Sequence, residues 1–136
     1  MPPSPSLRPL WLLVALLLGA CATSGQREDA LNRTLRQYEK AVRWVQFDAV
    51  YAYHRWGEGG QPAPPAALRN VRVTRYHVNN SQLSDDALHY HQTVTIHYYL
   101  LDSPRERSLV QRQQWEYDPG QKRWLQTGPP PAFLRP

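Results

Sequence analysis

The sequence predicts an α+β domain, in which a long helix and a short second helix pack on a four-stranded antiparallel meander. Three observations carry this expectation. Apolar residues take up a helical period from Asp29 onward, a stretch over residues 87–101 alternates apolar and polar, and clusters of turn residues cut the second half into strands.

The helix comes first. Leu31, Leu35, Tyr38, Val42, Val45 and Ala49 fall on one stripe, as a core-packed helix requires. Glu28 and Asp29 stand at its start, where the helix dipole favours negative charge. Asp29–Arg33 and Glu39–Arg43 are i,i+4 pairs in the favourable orientation. Asp48 is placed to cap a second helix over residues 49–55, and residues 57–67, rich in Gly, Pro and Ala, read as a loop.

Strands follow. The first is expected over residues 68–78, closed by Asn79-Asn80-Ser81. The second spans residues 87–101, where Leu88, Tyr90, Val94, Ile96, Tyr98 and Leu100 share one parity and His89, His91, Thr93, Thr95 and His97 the other. Such alternation marks a strand with one buried face. Asp102-Ser103-Pro104-Arg105 reads as a turn, residues 107–117 as the third strand, Asp118-Pro119-Gly120-Gln121 as a tight turn and residues 122–127 as the fourth strand. Prolines 129–131 then end the sheet in an extended tail.

The first 21 residues carry an address. From Leu10 to Leu18 every residue is apolar, and Gly19 and Ala20 follow. That run is about half of the roughly 20 residues a membrane-spanning helix needs, which fits an export signal. Arg8 supplies its one side-chain charge, among prolines 2, 3, 5 and 9. Leu18-Gly19-Ala20-Cys21 resembles the lipobox of bacterial lipoproteins, with Gly19 where Ala or Ser is commoner. The resemblance implies a lipid on Cys21 and cleavage before it. Ala22 rather than Asp after the cysteine implies, by likeness to sorted lipoproteins, transfer to the outer membrane, facing the periplasm. Cys21 is also the sole cysteine, so no disulfide partner competes for it. The organisation expected is a signal peptide over residues 1–20, a lipidated polar tether over 21–28, one domain over 29–128 and a proline-rich tail over 129–136.

The order of elements resembles the cystatin-like and nuclear transport factor 2-like folds, where a curved sheet wraps an N-terminal helix. Gln114-Trp115-Glu116-Tyr117 and Lys122-Arg123-Trp124-Leu125 look like that superfamily's closing hairpin. The resemblance is one of pattern and carries no diagnostic motif. It implies either a helix–sheet pocket or a contact-making module.

Removing residues 1–20 leaves 116 residues, one domain's worth, with 15 basic and 11 acidic side chains. Excess positive charge favours anionic neighbours such as phospholipid head groups. Nucleic acid is the usual partner at this basicity, but an exported chain seldom meets it, so none is expected.

No motif for catalysis stands out. There is no Gly-x-Ser-x-Gly, no His-Glu-x-x-His and no phosphate-cradling glycine loop. Asp85 and Asp86 sit in a turn, and Cys21 is committed to lipid. His89, His91 and His97 share a parity, but six strand residues separate the last two, roughly 20 Å. One zinc ion cannot join all three, and no metal is expected. The aromatics Tyr90, Tyr98, Trp115 and Tyr117 are the candidates for lining a pocket. Arg36, Lys40 and Arg43 form a basic helix face that a lipid anchor would hold near head groups. The expected role is a non-catalytic, membrane-anchored periplasmic lipoprotein that binds a protein partner or supports an envelope assembly. A carrier of a small apolar or lipid-like ligand is the alternative, and a small isomerase- or dehydratase-like enzyme the third reading. No cofactor is expected beyond the lipid on Cys21.

Overall fold

The computed structural model describes residues 8–135, with the side chains of residues 8–13 and 15–22 outside the description. Its elements are α1 (Arg8–Arg43), α2 (Phe47–Ala52), a 3-10 turn over Ala66–Asn70, β1 (Val71–Leu83), β2 (His89–Leu100), β3 (Ser103–Asp118) and β4 (Arg123–Gln126). The strands form one antiparallel sheet in the order β1-β2-β3-β4, so the α+β class and the meander stand as expected. Among the described residues no helix is long and apolar enough to cross a membrane.

The apolar stripe sets how α1 lies on the sheet. Leu31, Tyr38 and Val42 are buried in the core, while Leu35 and Val45 pack half-buried against it. Ala49, expected on the same stripe, is exposed, because the chain turns between the helices and α2 buries Phe47 and Val50 instead. Of the two expected helix ion pairs, Glu39–Arg43 forms at 3.3 Å.

Residues 22–28 are not an extended link, for α1 runs through them unbroken. No proline interrupts that segment, and its end is fastened to the domain. The Trp124 indole donates to the Arg27 carbonyl at 2.8 Å, and the Arg27 guanidinium reaches the Asp86 carbonyl at 3.2 Å. Cys21 is six residues before Arg27, about 9 Å along a helix.

Helix α1 stops in a Schellman arrangement. The Gln46 N–H reaches the Ala41 carbonyl and the Val45 N–H the Val42 carbonyl. The left-handed position is taken by Val45 (φ 51°), where a β-branched side chain is strained and glycine is usual. Gln46 then precedes α2 without a side-chain cap, and Asp48 sits inside its first turn rather than capping it.

Strand β1 extends beyond its expected end. Asn79-Asn80-Ser81 lies within the strand, which takes up a register shift between Val78 and Asn80 and continues to Leu83. The turn proper is residues 84–88, where the Asp86 carboxylate accepts from the Leu88 N–H and the Ser84 hydroxyl. Those bonds, the Ser84 one foremost, hold the Asp86 carboxyl below its ordinary pKa. Likewise Ser103, Pro104 and Arg105 belong to β3 rather than to a turn.

The inner face of the sheet meets the helices. Val94, Ile96 and Tyr98 of β2 are buried with Trp115 of β3 and Trp124 of β4. The opposite parity of β2, with His89, His91, Thr93, Thr95 and His97, is exposed or half-exposed. The tail closes the core: Phe133 is 0% exposed, set edge-on to Phe47 and Tyr98 at centroid distances of 5.5 and 4.9 Å.

Candidate functional site

The chemistry-bearing side chains collect on the inner face, where the sheet is unexpectedly polar. Its centre is His54. The chain leaving α2 is stitched to β4, with the Arg55 N–H on the Gln126 carbonyl and the Gln126 N–H on the Tyr53 carbonyl. This stitch turns the His54 ring inward, where the residue is buried. Its Nδ1 lies 2.8 Å from the Gly128 carbonyl and its Nε2 3.0 Å from the Tyr38 hydroxyl.

One proton arrangement satisfies both contacts. A carbonyl only accepts, so Nδ1 carries the hydrogen; the neutral ring then accepts at Nε2 from the Tyr38 hydroxyl. Burial favours this neutral ring and pushes the His54 pKa down to about 4, against a smaller upward pull from the Gly128 bond. Burial likewise holds the Tyr38 and Tyr76 phenols well above their usual range, so both stay protonated.

From Tyr38 the bonds continue across the sheet in one direction. The half-buried Tyr90 hydroxyl donates to Gln92 at 3.1 Å, Gln92 to Gln113 at 2.7 Å, Gln113 to Gln111 at 2.8 Å and Gln111 to the Tyr38 oxygen at 3.1 Å. Side branches join it: Gln113 donates to Tyr76 at 2.9 Å, Trp115 to Gln113 at 3.1 Å and Gln111 to Gln126 at 3.2 Å. The far nitrogen of Gln126 is buried without a partner among the described residues. A buried amide left unbonded costs about 1–3 kcal/mol, so the partners at the other positions hold these side chains in single orientations.

The aromatics proposed as pocket walls share this face, and none of them lines the clefts described below. Trp115 and Tyr98 are buried in the core: the Trp115 ring stands edge-on to Tyr38 at 5.1 Å and the Tyr98 hydroxyl donates to the Phe133 carbonyl. Tyr90 is half-buried at the relay's end, and Tyr117 lies half-buried against Trp124 at 5.6 Å. The physical reason is the tail, whose phenylalanine fills the space beside Tyr98.

Two surface clefts have other walls. One, about 610 Å³, lies between the start of α2 and residues 63–69, with Phe47, Pro65, Leu68 and Arg69 in its lining. Another, about 490 Å³, separates residues 109–112 of β3 from the tail prolines. Arg36, Lys40 and Arg43 are all exposed on α1, with Arg43 paired to Glu39. The side chains of the lipobox-like segment, Leu18-Gly19-Ala20-Cys21, lie outside the described residues.

No metal cluster forms among the described residues. His89 stands 3.8 and 3.9 Å from Asp86 and Glu116, and His97 stands 3.6 Å from Glu106, each pair on or near the surface. Sequence reading missed His54, Gln111, Gln113, Gln126 and Phe133. The one available signal was that Gln111 and Gln113 of β3 fall on the parity of Trp115. Compared with protein-family models, curated proteins and solved structures, the chain matches none.

Proposed function

We propose that this protein is a membrane-anchored lipoprotein whose α+β domain is a non-catalytic module for binding a protein partner or supporting an envelope assembly. The anchor is the lipid on Cys21, and the periplasmic face of the outer membrane is the address. The cystatin-like or nuclear transport factor 2-like resemblance remains part of the proposal.

The observation that carries the partner reading is the state of the inner face. Its polar groups bond to one another, and its aromatic socket is filled by Phe133. A face so occupied leaves the outer surface as the part open to contacts.

The test is native mass spectrometry of the full-length protein, gently extracted from its own membrane, with Cys21→Ser as the control. The expected species carries the mass of a triacylated Cys21 and travels with a second protein, and Cys21→Ser loses the lipid mass. A small non-covalent ligand in place of a protein would replace this reading with the carrier. An unmodified precursor mass would overturn the anchor.

A further inference from the structure

We propose that the channel holding residues 128–135 is a recognition site for proline-rich segments that carry an aromatic residue just after the prolines. The chain's own tail occupies it in cis, and a partner's segment of the same chemistry takes its place in trans. The inference rests on the partner-binding reading and names the partner's chemistry.

The contacts are those a proline-rich ligand needs. Pro129, Pro130 and Pro131 have no N–H, so only their carbonyls and ring surfaces can be recognised. The channel answers with side-chain donors: His54 to the Gly128 carbonyl at 2.8 Å, Gln111 to the Pro129 carbonyl at 3.4 Å and Tyr98 to the Phe133 carbonyl at 3.1 Å. No backbone hydrogen bond ties residues 128–135 to a strand among the described residues. Specificity comes from the socket of Phe47 and Tyr98 around the Phe133 ring. Extended polyproline chains with pocketed side chains are recognised in this way, at low entropic cost because the ligand is already extended.

The strap is open at its start, where Pro129 is exposed, and buried at Pro131 and Phe133. It follows Gly128 and stands off β3 across the 490 Å³ cleft. Beside it Val110 is 62% exposed, an apolar rim for an arriving segment.

The cis tail competes at an effective concentration in the millimolar range, so binding in trans should emerge when its aromatic is removed. The probe is the synthetic peptide Thr-Gly-Pro-Pro-Pro-Ala-Phe-Leu-Arg-Pro, titrated by fluorescence anisotropy into the full chain and its Phe133→Ala variant. The expected result is at least tenfold tighter binding to Phe133→Ala than to the unmutated chain, lost when the peptide's Phe is Ala. Equal binding by the two folded chains would overturn the proposal. Should Phe133→Ala not fold, the unmutated chain decides: a peptide with a photoreactive group in place of Phe must crosslink to the walls formed by Phe47 and Tyr98. Crosslinks elsewhere, or none, would overturn it. A protein co-purifying with the lipoprotein while the peptide fails would sink this inference and leave the partner reading intact.

Discussion

Tyr38 of α1 donates its hydroxyl hydrogen to Nε2 of His54 at 3.0 Å, inside the core. The bond ties the helix to the one imidazole that also holds the tail. Losing either partner therefore loosens three elements at once, since the His54 ring bridges α1 to the Gly128 carbonyl at the end of β4.

The His54 ring makes stability depend on acid. Its pKa falls from 6.5 in the unfolded chain to about 4 in the fold, so below pH 6.5 the unfolded chain binds a proton that the native one refuses. Stability is full above that pH and is lost as pH falls through the window, by about 1.4 kcal/mol per pH unit and about 3 kcal/mol in all. Urea melts between pH 7.5 and 4 should show the decline. His54→Asn keeps a donor toward Gly128 but cannot titrate, and its melts should be flatter over the same range.

Gln113, 1% exposed, is the junction of the relay. Gln113→Leu preserves its volume but strands the Gln92 amide, the Trp115 indole and the acceptor oxygen of Gln111. At about 1–3 kcal/mol for each stranded group, the loss should reach about 3 kcal/mol or more by urea denaturation. Adding Gln111→Leu should cost less than the sum of the two single changes, because the shared bond is lost only once. Strict additivity would show that the relay does not act as one network.

The sequence made some of this legible and hid the rest for physical reasons. Leu31, Tyr38 and Val42 announced the helix, and the alternation from Leu88 to Leu100 announced β2, because both signals are periods set by burial. The relay had no such signal. Gln111 and Gln113 look like solvated positions, and only their parity with Trp115 places them inside. Ala132, Phe133 and Leu134 were a short apolar stretch after a run of prolines, so nothing local distinguished a docked strap from a free tail. The turns misled in a different way. Gly120 marked the β3–β4 connection, yet the left-handed residue there is Lys122 at φ 52°.

Lys122 therefore offers a clean stabilising change. A left-handed conformation costs a side chain about 1–2 kcal/mol, and glycine returns about 0.5–1 kcal/mol of that through its freer unfolded state. Lys122 is exposed, so no packing is lost. Lys122→Gly should raise stability by about 0.5–1 kcal/mol in a thermal melt. Gly120→Ala should give no gain, because its new methyl would press on the Asp118 carboxylate at 3.2 Å, which already holds the Gln121 N–H.

If Cys21 carries the proposed lipid, the basic row on α1 tests how the domain stands on the membrane. Arg36, Lys40 and Arg43 lie 15, 19 and 22 residues beyond Cys21, or about 22–33 Å along the helix. The helix is docked to the domain from Arg27 onward and cannot bend to bring them down. They reach head groups only if α1 lies along the surface, an orientation that would also seat Trp44, 68% exposed at the helix end. Exchanging all three cations for Gln should leave urea stability within about 0.5 kcal/mol, because exposed pairs such as Arg43–Glu39 contribute little. If the helix lies flat, binding of the Cys21→Ser chain to phosphatidylglycerol vesicles should weaken by about 1 kcal/mol per cation, roughly a hundredfold in all. The Trp44 emission should lose its blue shift with it. Unchanged vesicle binding would mean that α1 stands away from the bilayer, with the basic row pointing into the space where a partner would meet it.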